Sequence, residues 1–307
     1  MLDICLLGTG GTLPLVNRWL TSLMVRYQGH AVLVDCGEGT QIAAQKAGLS
    51  LKPVDKILLT HLHADHVSGL PGLLLTMGNM GRTEDLSIIG PVGTERVVQA
   101  LRTIAPNLPF DIRVSELDTD EETMFFLDCD IRAFAVHHGV PCYGYSFTLP
   151  RAGRFDAARA RELQIPLPFW KLLQKGETVE DAGKIYTPEM VLGPARKGLK
   201  VTYCTDSRPV PAIARSAADS DLFICEGMYG EDEMLPKAKE NRHMLFSEAA
   251  QLAVQAGGVR ELWLTHFSPS LPNPKAYLNV AKAVFEQVSI PRDGWMKTLR
   301  FPENEEK

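Results

Sequence analysis

The sequence predicts an α/β fold of four layers: two packed β-sheets with helices outside them, and an arm protruding from the sandwich. Three observations lead there. Short apolar runs of strand length alternate with helix-like segments in both halves of the chain. A histidine-rich cluster follows one of these runs directly, and clustering past strand ends is the usual placement of ligands in layered α/β folds. From Arg151 to Lys197 the alternation stops, and Gly, Pro and charged residues dominate. A break this long inside a compact domain is usually functional or disordered, and this one reads as an arm or lid. With 307 residues, 45% of them hydrophobic, the chain can build one large core. Residues 1–307 therefore read as one domain, with 151–197 inserted as the arm.

Taken in order, Leu2–Leu7 reads as a strand ending in the flexible turn Gly8-Thr9-Gly10-Gly11. Ser22–Tyr27 and Ala31–Cys36 read as strands joined at Gln28-Gly29-His30. Thr40–Ala47 is a helix closed by Gly48. Val54–Leu59 is a buried strand leading into the histidine cluster, and a small-residue helix is expected over Val67–Met77. Leu86–Ile89 (strand), Thr94–Ile104 (helix) and Ile112–Leu117 (strand) follow. A hairpin-like pair, Met124–Leu127 and Ile131–His137, leads into Tyr143–Leu149. Beyond the arm come strand Val201–Thr205, helix Pro211–Ala217, strand Leu222–Cys225, helix Leu245–Gln255, strand Glu261–Thr265 and a last helix over Pro274–Val288.

Composition narrows the class. No stretch approaches the about 20 apolar residues of a membrane span. The start, Met1-Leu2-Asp3-Ile4, carries an acid and enters a strand at once, unlike a signal peptide. The six cysteines (Cys5, Cys36, Cys129, Cys142, Cys204, Cys225) include no Cys-x-x-Cys pair. That argues against a disulfide framework or a zinc ribbon and fits a reducing cytoplasm, with Cys129 and Cys225 as small buried hydrophobes. The net charge of −5 lacks the basic footprint of most nucleic-acid binders. A local basic patch or bound cations would change that balance.

The chemistry concentrates in Thr60-His61-Leu62-His63-Ala64-Asp65-His66. Three of the chain's eight histidines and one carboxylate fall within six positions, just after Ile57-Leu58-Leu59. Burying such a cluster is costly unless a cation or hydrogen bonds satisfy it. Imidazole with carboxylate suits zinc, iron or manganese better than calcium. Other candidate ligands also follow strands: His138 or its neighbour His137, Asp206 and His266. Alternation along the strand places His138 on the face of Phe134 and Val136, which favours it over His137. Taken singly, an Asp after a strand is most often a turn former. Their joint occurrence on one rim is the signal.

The His-x-His-x-Asp-His motif, here His61, His63, Asp65 and His66, resembles the metallo-β-lactamase superfamily signature. Further segments resemble the ribonuclease Z family of tRNA 3′-processing endonucleases within it. They are Asp35–Gln41, Thr60–Gly72, His138-Gly139-Val140-Pro141, Leu192-Gly193-Pro194, Thr205-Asp206-Ser207-Arg208-Pro209, Glu226-Gly227, His243 and Leu264–Ser268. The resemblance implies a metallo-β-lactamase fold and two divalent metal ions, usually zinc. His61, His63 and His138 would hold the first ion, Asp65, His66 and His266 the second, and Asp206 would bridge. It further implies that Asp65 orients the attacking hydroxide or takes its proton. His243, oriented by Glu226, would donate a proton to the leaving 3′-oxygen. Precursor tRNA is the implied substrate, a homodimer the implied assembly, and residues 151–197 the implied tRNA exosite. Arg208 stands as either a phosphate contact or a turn-capping ion pair. The Gly8–Gly11 turn stands as an anion-binding loop or a plain turn.

The chain departs from the family on the substrate side. The arm tip Leu163–Lys171 has prolines without the usual glycines. Thr76–Gly81 lacks the usual Ser-Arg and Phe, Met244-Leu245 replace hydroxyl residues, and Ser270-Leu271 stand where Arg-Tyr is usual. An alternative activity is therefore hydrolysis of a small phosphodiester or aryl sulfate at the same dinuclear site. Lactone or thioester hydrolysis and a non-catalytic scaffold are the remaining alternatives. A locally basic arm argues against the former, and a complete ligand set against the latter.

Overall fold

Strand Leu2–Gly8 is apolar on both faces, and its alternation sets the layering. Leu2, Ile4 and Leu6 join the core between two sheets, while Cys5 and Leu7 join a second core beneath helices. The computed structural model describes residues 1–302, so positions 303–307 of the expected domain lie outside the described residues.

Each sheet has seven strands. The first runs Trp295–Leu299, Leu2–Gly8, Ser22–Tyr27, His30–Val34, Val54–Leu58, Leu86–Pro91, Ile112–Leu117. The second runs Val288–Ser289, Leu262–Thr265, Leu222–Glu226, Arg196–Cys204, Tyr143–Arg151, Cys129–Ala135, Glu121–Phe126. Between them pack Val25, Val32, Leu58, Phe147, Tyr203, Ile224 and Trp263. Helices Thr40–Lys46, Leu70–Asn79 and Thr94–Arg102 cover the outer face of the first sheet. Helices Pro211–Ala217, Phe246–Ala256 and Leu278–Lys282 cover that of the second. This is the expected αββα sandwich.

The parallel strands place the site. His30–Val34 is parallel to Val54–Leu58, and Arg196–Cys204, Leu222–Glu226 and Leu262–Thr265 are parallel to one another. Their carboxyl ends open on one rim, and Asp35, His61, Asp206, Glu226 and His266 lie there.

Several boundaries differ from expectation. The helix expected over Val67–Met77 is two helices, Ala64–Val67 and Leu70–Asn79. The break falls at Gly69, whose backbone presses on the Gly37 carbonyl so closely that a Cβ would stand 2.1 Å from it. The helix expected over Pro274–Val288 ends early. It is a 3₁₀ turn, Pro274–Tyr277, followed by helix Leu278–Lys282, and Val288 pairs with Leu262 as a strand. Helix Leu235–Asn241 and strand Trp295–Leu299, both unforeseen, complete the fold.

The segment expected as an arm leaves the second sheet after Arg151 and returns at Arg196, its register partner. It contains helices Ala157–Glu162 and Leu167–Gln174 and a hairpin, Val179–Asp181 with Lys184–Tyr186. Ala160, Ile165, Leu173, Tyr186 and Val191 form its own apolar cluster, backed by Phe155 and Trp170. Asp156 caps the first helix by accepting from the Arg159 N–H at 2.8 Å.

Candidate metal centre

Asp35, Asp206 and His266 each follow a strand end in the left-handed backbone region, with φ of 60°, 42° and 56°. Non-glycine residues held there cost roughly 1–2 kcal/mol apiece. Such strain gathers where a fold must aim side chains that regular geometry would misdirect. Here it turns Asp206 and His266 into the rim beside the His61–His66 run.

The structure brings all seven sequence-derived candidates together in two adjoining groups. In the first, His61 Nε2 lies 3.0 Å from His63 Nδ1, and His138 Nε2 lies 3.3 Å from the same atom. Asp206 Oδ2 stands 3.7 Å from His61 Nε2 and 3.9 Å from His138 Nε2. In the second, His66 Nε2 and His266 Nε2 are 3.3 Å apart. Asp206 Oδ1 stands 3.2 and 3.1 Å from them, and Asp65 Oδ2 3.7 and 3.5 Å. One oxygen of Asp206 thus serves each group.

These donors fit divalent cations. Ring nitrogens face one another across hydrogen-bond distances in numbers that protons cannot satisfy. Asp206 Oδ1 is buried without a hydrogen bond although two imidazoles stand beside it. An orphaned buried carboxylate oxygen of this kind needs an explanation, and a cation supplies one. Two of the outward ring nitrogens have partners, His66 Nδ1 with Asp35 at 2.8 Å and His138 Nδ1 with the Arg242 carbonyl at 3.3 Å, whereas the buried His266 Nδ1 has none among the described residues. Such partners set tautomer and ring orientation.

Electrostatics follow from this crowding. Burial, then the neighbouring His66, pushes the His61 pKa down, and burial also lowers that of His138. Burial opposes charge on His66 as well, but Asp206 and Asp35 outweigh it and hold its pKa high. Burial likewise opposes ionisation of Asp65 and Asp206, yet the surrounding imidazoles keep both carboxylates ionised. A cation must therefore displace a proton from His66.

Sequence alternation selected His138, but for a reason that does not hold. The strand ends at Ala135, and His137 bridges to Arg208 through its backbone. It is the turn after the strand that delivers His138. Arg208 falls on one of its two readings. Its guanidinium forms a two-pronged pair with the Glu248 carboxylate and donates to the His243 carbonyl. These contacts favour the ion-pair reading over the phosphate contact and make Arg208 a support for the His243 turn. The Gly8–Gly11 turn is a packing device. A Cβ on Gly11 would stand 2.5 Å from the His266 ring, and the Gly10 and Gly11 amides bond to Trp19 and Phe267 carbonyls.

Glu226 is fully buried at the end of its strand. Oε1 accepts from the Ser207 N–H at 2.6 Å and Oε2 from the Met244 N–H at 3.1 Å, and the two oxygens lie 3.3 and 3.2 Å from His243 Nδ1. Burial opposes a charge on His243, but Glu226 outweighs it and lifts the pKa to about 9. His243 lines the cleft above the histidines.

Two residues gain importance that the sequence reading did not single out. Asp35, fully buried, accepts from Thr60 N at 2.8 Å and faces His66. Its sequence signals were a charge near the end of an apolar strand and its place at the head of the Asp35–Gln41 segment that carries the resemblance. The Thr12 N–H donates to Asp65 Oδ2 at 2.7 Å and fixes that carboxylate. Size alone would not select this cleft. A groove of similar volume, lined by Val210, Leu252 and Arg215 among others, carries no nucleophile or acid–base pair.

Comparison with known proteins agrees with the geometry. A model of the metallo-β-lactamase superfamily matches residues 21–154. Ribonuclease Z of Agathobacter rectalis is 57% identical over 304 residues, covering 99% of this chain and 100% of the relative. Ribonuclease Z of Lachnospira eligens is 56% identical, covering 98% and 99%. The solved short form of human tRNase Z shares the fold, with a TM-score of 0.71 and 24% identity over 97% of this chain and 100% of that one. The chain belongs to the ribonuclease Z family of the metallo-β-lactamase superfamily.

Proposed function

We propose that this protein is a zinc-dependent endoribonuclease that removes the 3′ trailer from precursor tRNA, leaving a 3′-hydroxyl on the tRNA. The observation that carries the reading is the Asp206 carboxylate, with one oxygen turned to each of two imidazole groups beside the buried Glu226–His243 pair. His61, His63 and His138 would hold one ion and Asp65, His66 and His266 the other, with Asp206 between them. Divalent ions held there would lower the pKa of a water toward neutrality and would offset charge on the phosphoryl group. The remaining work belongs to side chains. Asp65, held by the Thr12 amide, would orient the attacking oxygen or take its proton. His243 presents a proton to the leaving 3′-oxygen, and Glu226 keeps that imidazole charged and aimed.

Imidazoles with carboxylates favour zinc over calcium. The segment 151–197, with its own apolar cluster and Arg154, Arg159, Arg161, Lys171 and Lys175, serves in this reading as the tRNA exosite. The family relationship supports precursor tRNA as substrate, and a homodimer in the cytoplasm is part of the same proposal. Six free, buried cysteines suit the reducing compartment. Among the described residues no helix is long and apolar enough to cross a membrane.

The test is cleavage of a precursor tRNA carrying a 3′ trailer, with end-group analysis and metal analysis on one preparation. Cleavage at the trailer boundary, lost on chelation and restored by zinc, is expected. Hydrolysis of bis-p-nitrophenyl phosphate without precursor cleavage would replace this reading with the small-phosphodiester alternative.

A further inference from the structure

The cleft over the histidines, about 680 Å³, is larger than one phosphate group needs, and its far wall is built from Tyr229, Lys237 and Asn241. Lys237 is the one lysine or arginine among the residues lining it. The wall is rigid. The Asn241 amide donates to the Tyr229 hydroxyl at 3.0 Å, and the Tyr229 carbonyl accepts from the Phe246 N–H at 3.0 Å. The neighbouring Met228 carbonyl accepts from the Ser268 N–H at 3.2 Å, tying the wall to the loop after His266. Lys237 and Asn241, four residues apart on helix Leu235–Asn241, share a face.

Tyr229, only 6% exposed, offers its ring as a support, and the Lys237 ammonium sits over it at 5.7 Å from the centroid. No described carboxylate pairs with that ammonium, although charged partners are plentiful elsewhere on the surface. The other charged groups lining the cleft are the site's carboxylates and imidazoles. We propose that Lys237, braced on Tyr229, is a specificity-determining residue that takes a phosphate of the RNA backbone flanking the scissile one. This rests on the endoribonuclease reading and adds the contact by which the cleft prefers a polynucleotide to a single phosphodiester.

The experiment compares wild type, K237Q and K237R, loaded with zinc, on precursor tRNA and on bis-p-nitrophenyl phosphate. Metal content is measured in each. K237Q is expected to raise KM for precursor about 10-fold, with kcat changed much less. It should also flatten the slope of log(kcat/KM) against log salt by about one. K237R is expected to recover most of the loss, and the single-phosphate substrate to lose several-fold less than the precursor. A K237Q enzyme with wild-type KM and salt slope overturns the proposal while leaving the endoribonuclease reading intact. So does equal loss on both substrates, or loss of metal, either of which would make Lys237 a structural support. A wild type inert on precursor overturns the endoribonuclease reading and the proposal together.

Discussion

Replacing Glu226 with glutamine changes one atom and tests how the buried acid–base pair works. Both carboxylate oxygens accept main-chain N–H groups, from Ser207 and from Met244. The amide nitrogen of glutamine must therefore face a donor in either orientation. At least one buried N–H loses its partner, at a cost of about 1–3 kcal/mol. The larger effect is electrical. Glu226 is the chief reason that the His243 pKa stands at about 9 instead of 6.5. That difference, 9 − 6.5, corresponds to roughly 3 kcal/mol favouring the imidazolium. Were the pKa only to return to 6.5, the protonated fraction at pH 7 would fall from nearly all to about a quarter, and the burial that opposes the charge on His243 remains in the variant. Lost orientation adds to that loss, and kcat is expected to drop about 10- to 100-fold with metal content unchanged. Bound cations lower the His243 pKa in both proteins, so the quantity to read is the shift between them. The assay is kcat against pH for wild type and E226Q, with metal analysis. The alkaline limb should move to lower pH in the variant. An unmoved limb, or loss of metal, would refute the role assigned to the pair.

Three further outcomes follow from the same geometry. Asp35→Asn removes the acceptor that fixes the His66 tautomer, and zinc affinity measured by chelator competition should fall about 10- to 100-fold; unchanged affinity would dismiss Asp35 as an orienting partner. His243→Ala should lower turnover roughly 10²–10⁴-fold with metal retained, whereas loss of metal would make it a ligand. In the chelated protein the His243–Glu226 pair should show its pH dependence directly. Because the folded pKa is raised, its stabilisation is complete below about pH 6.5 and disappears as pH rises through about 9. Histidine NMR titration alongside denaturant unfolding would show this, and a His243 resonance titrating near 6.5 would count against it.

Legibility in the sequence followed the distance over which each feature is encoded. The layers could be read because strands such as Leu2–Gly8 and Leu222–Glu226 are apolar on both faces, which requires cover on both sides. The last helix was overextended because Val284 to Val288 is apolar enough for either state, and only pairing with Leu262 decides it. The arm's hairpin was missed because three-residue strands carry almost no periodicity.

His61, His63, Asp65 and His66 were visible because four metal-ligand types crowd into six positions, and a local motif survives translation into any fold. His138, Asp206 and His266 each follow an ordinary strand and could be read only jointly, as strand ends sharing a rim, while Glu226 and His243 were tied to them by resemblance alone. Lys237 sits in a helix rich in Lys and Glu and reads there as a solvated face. Asp35 meets His66 across 31 positions. Which residues could hold a metal was thus determined by the sequence, through the chemistry of their side chains. Which nitrogen faces inward, which carboxylate oxygen serves which group, and that Arg208 braces a turn were decided only by tertiary structure. Those are directions in space, set by strand register and left-handed corners such as Asp206 and His266, and no pattern along the chain records them.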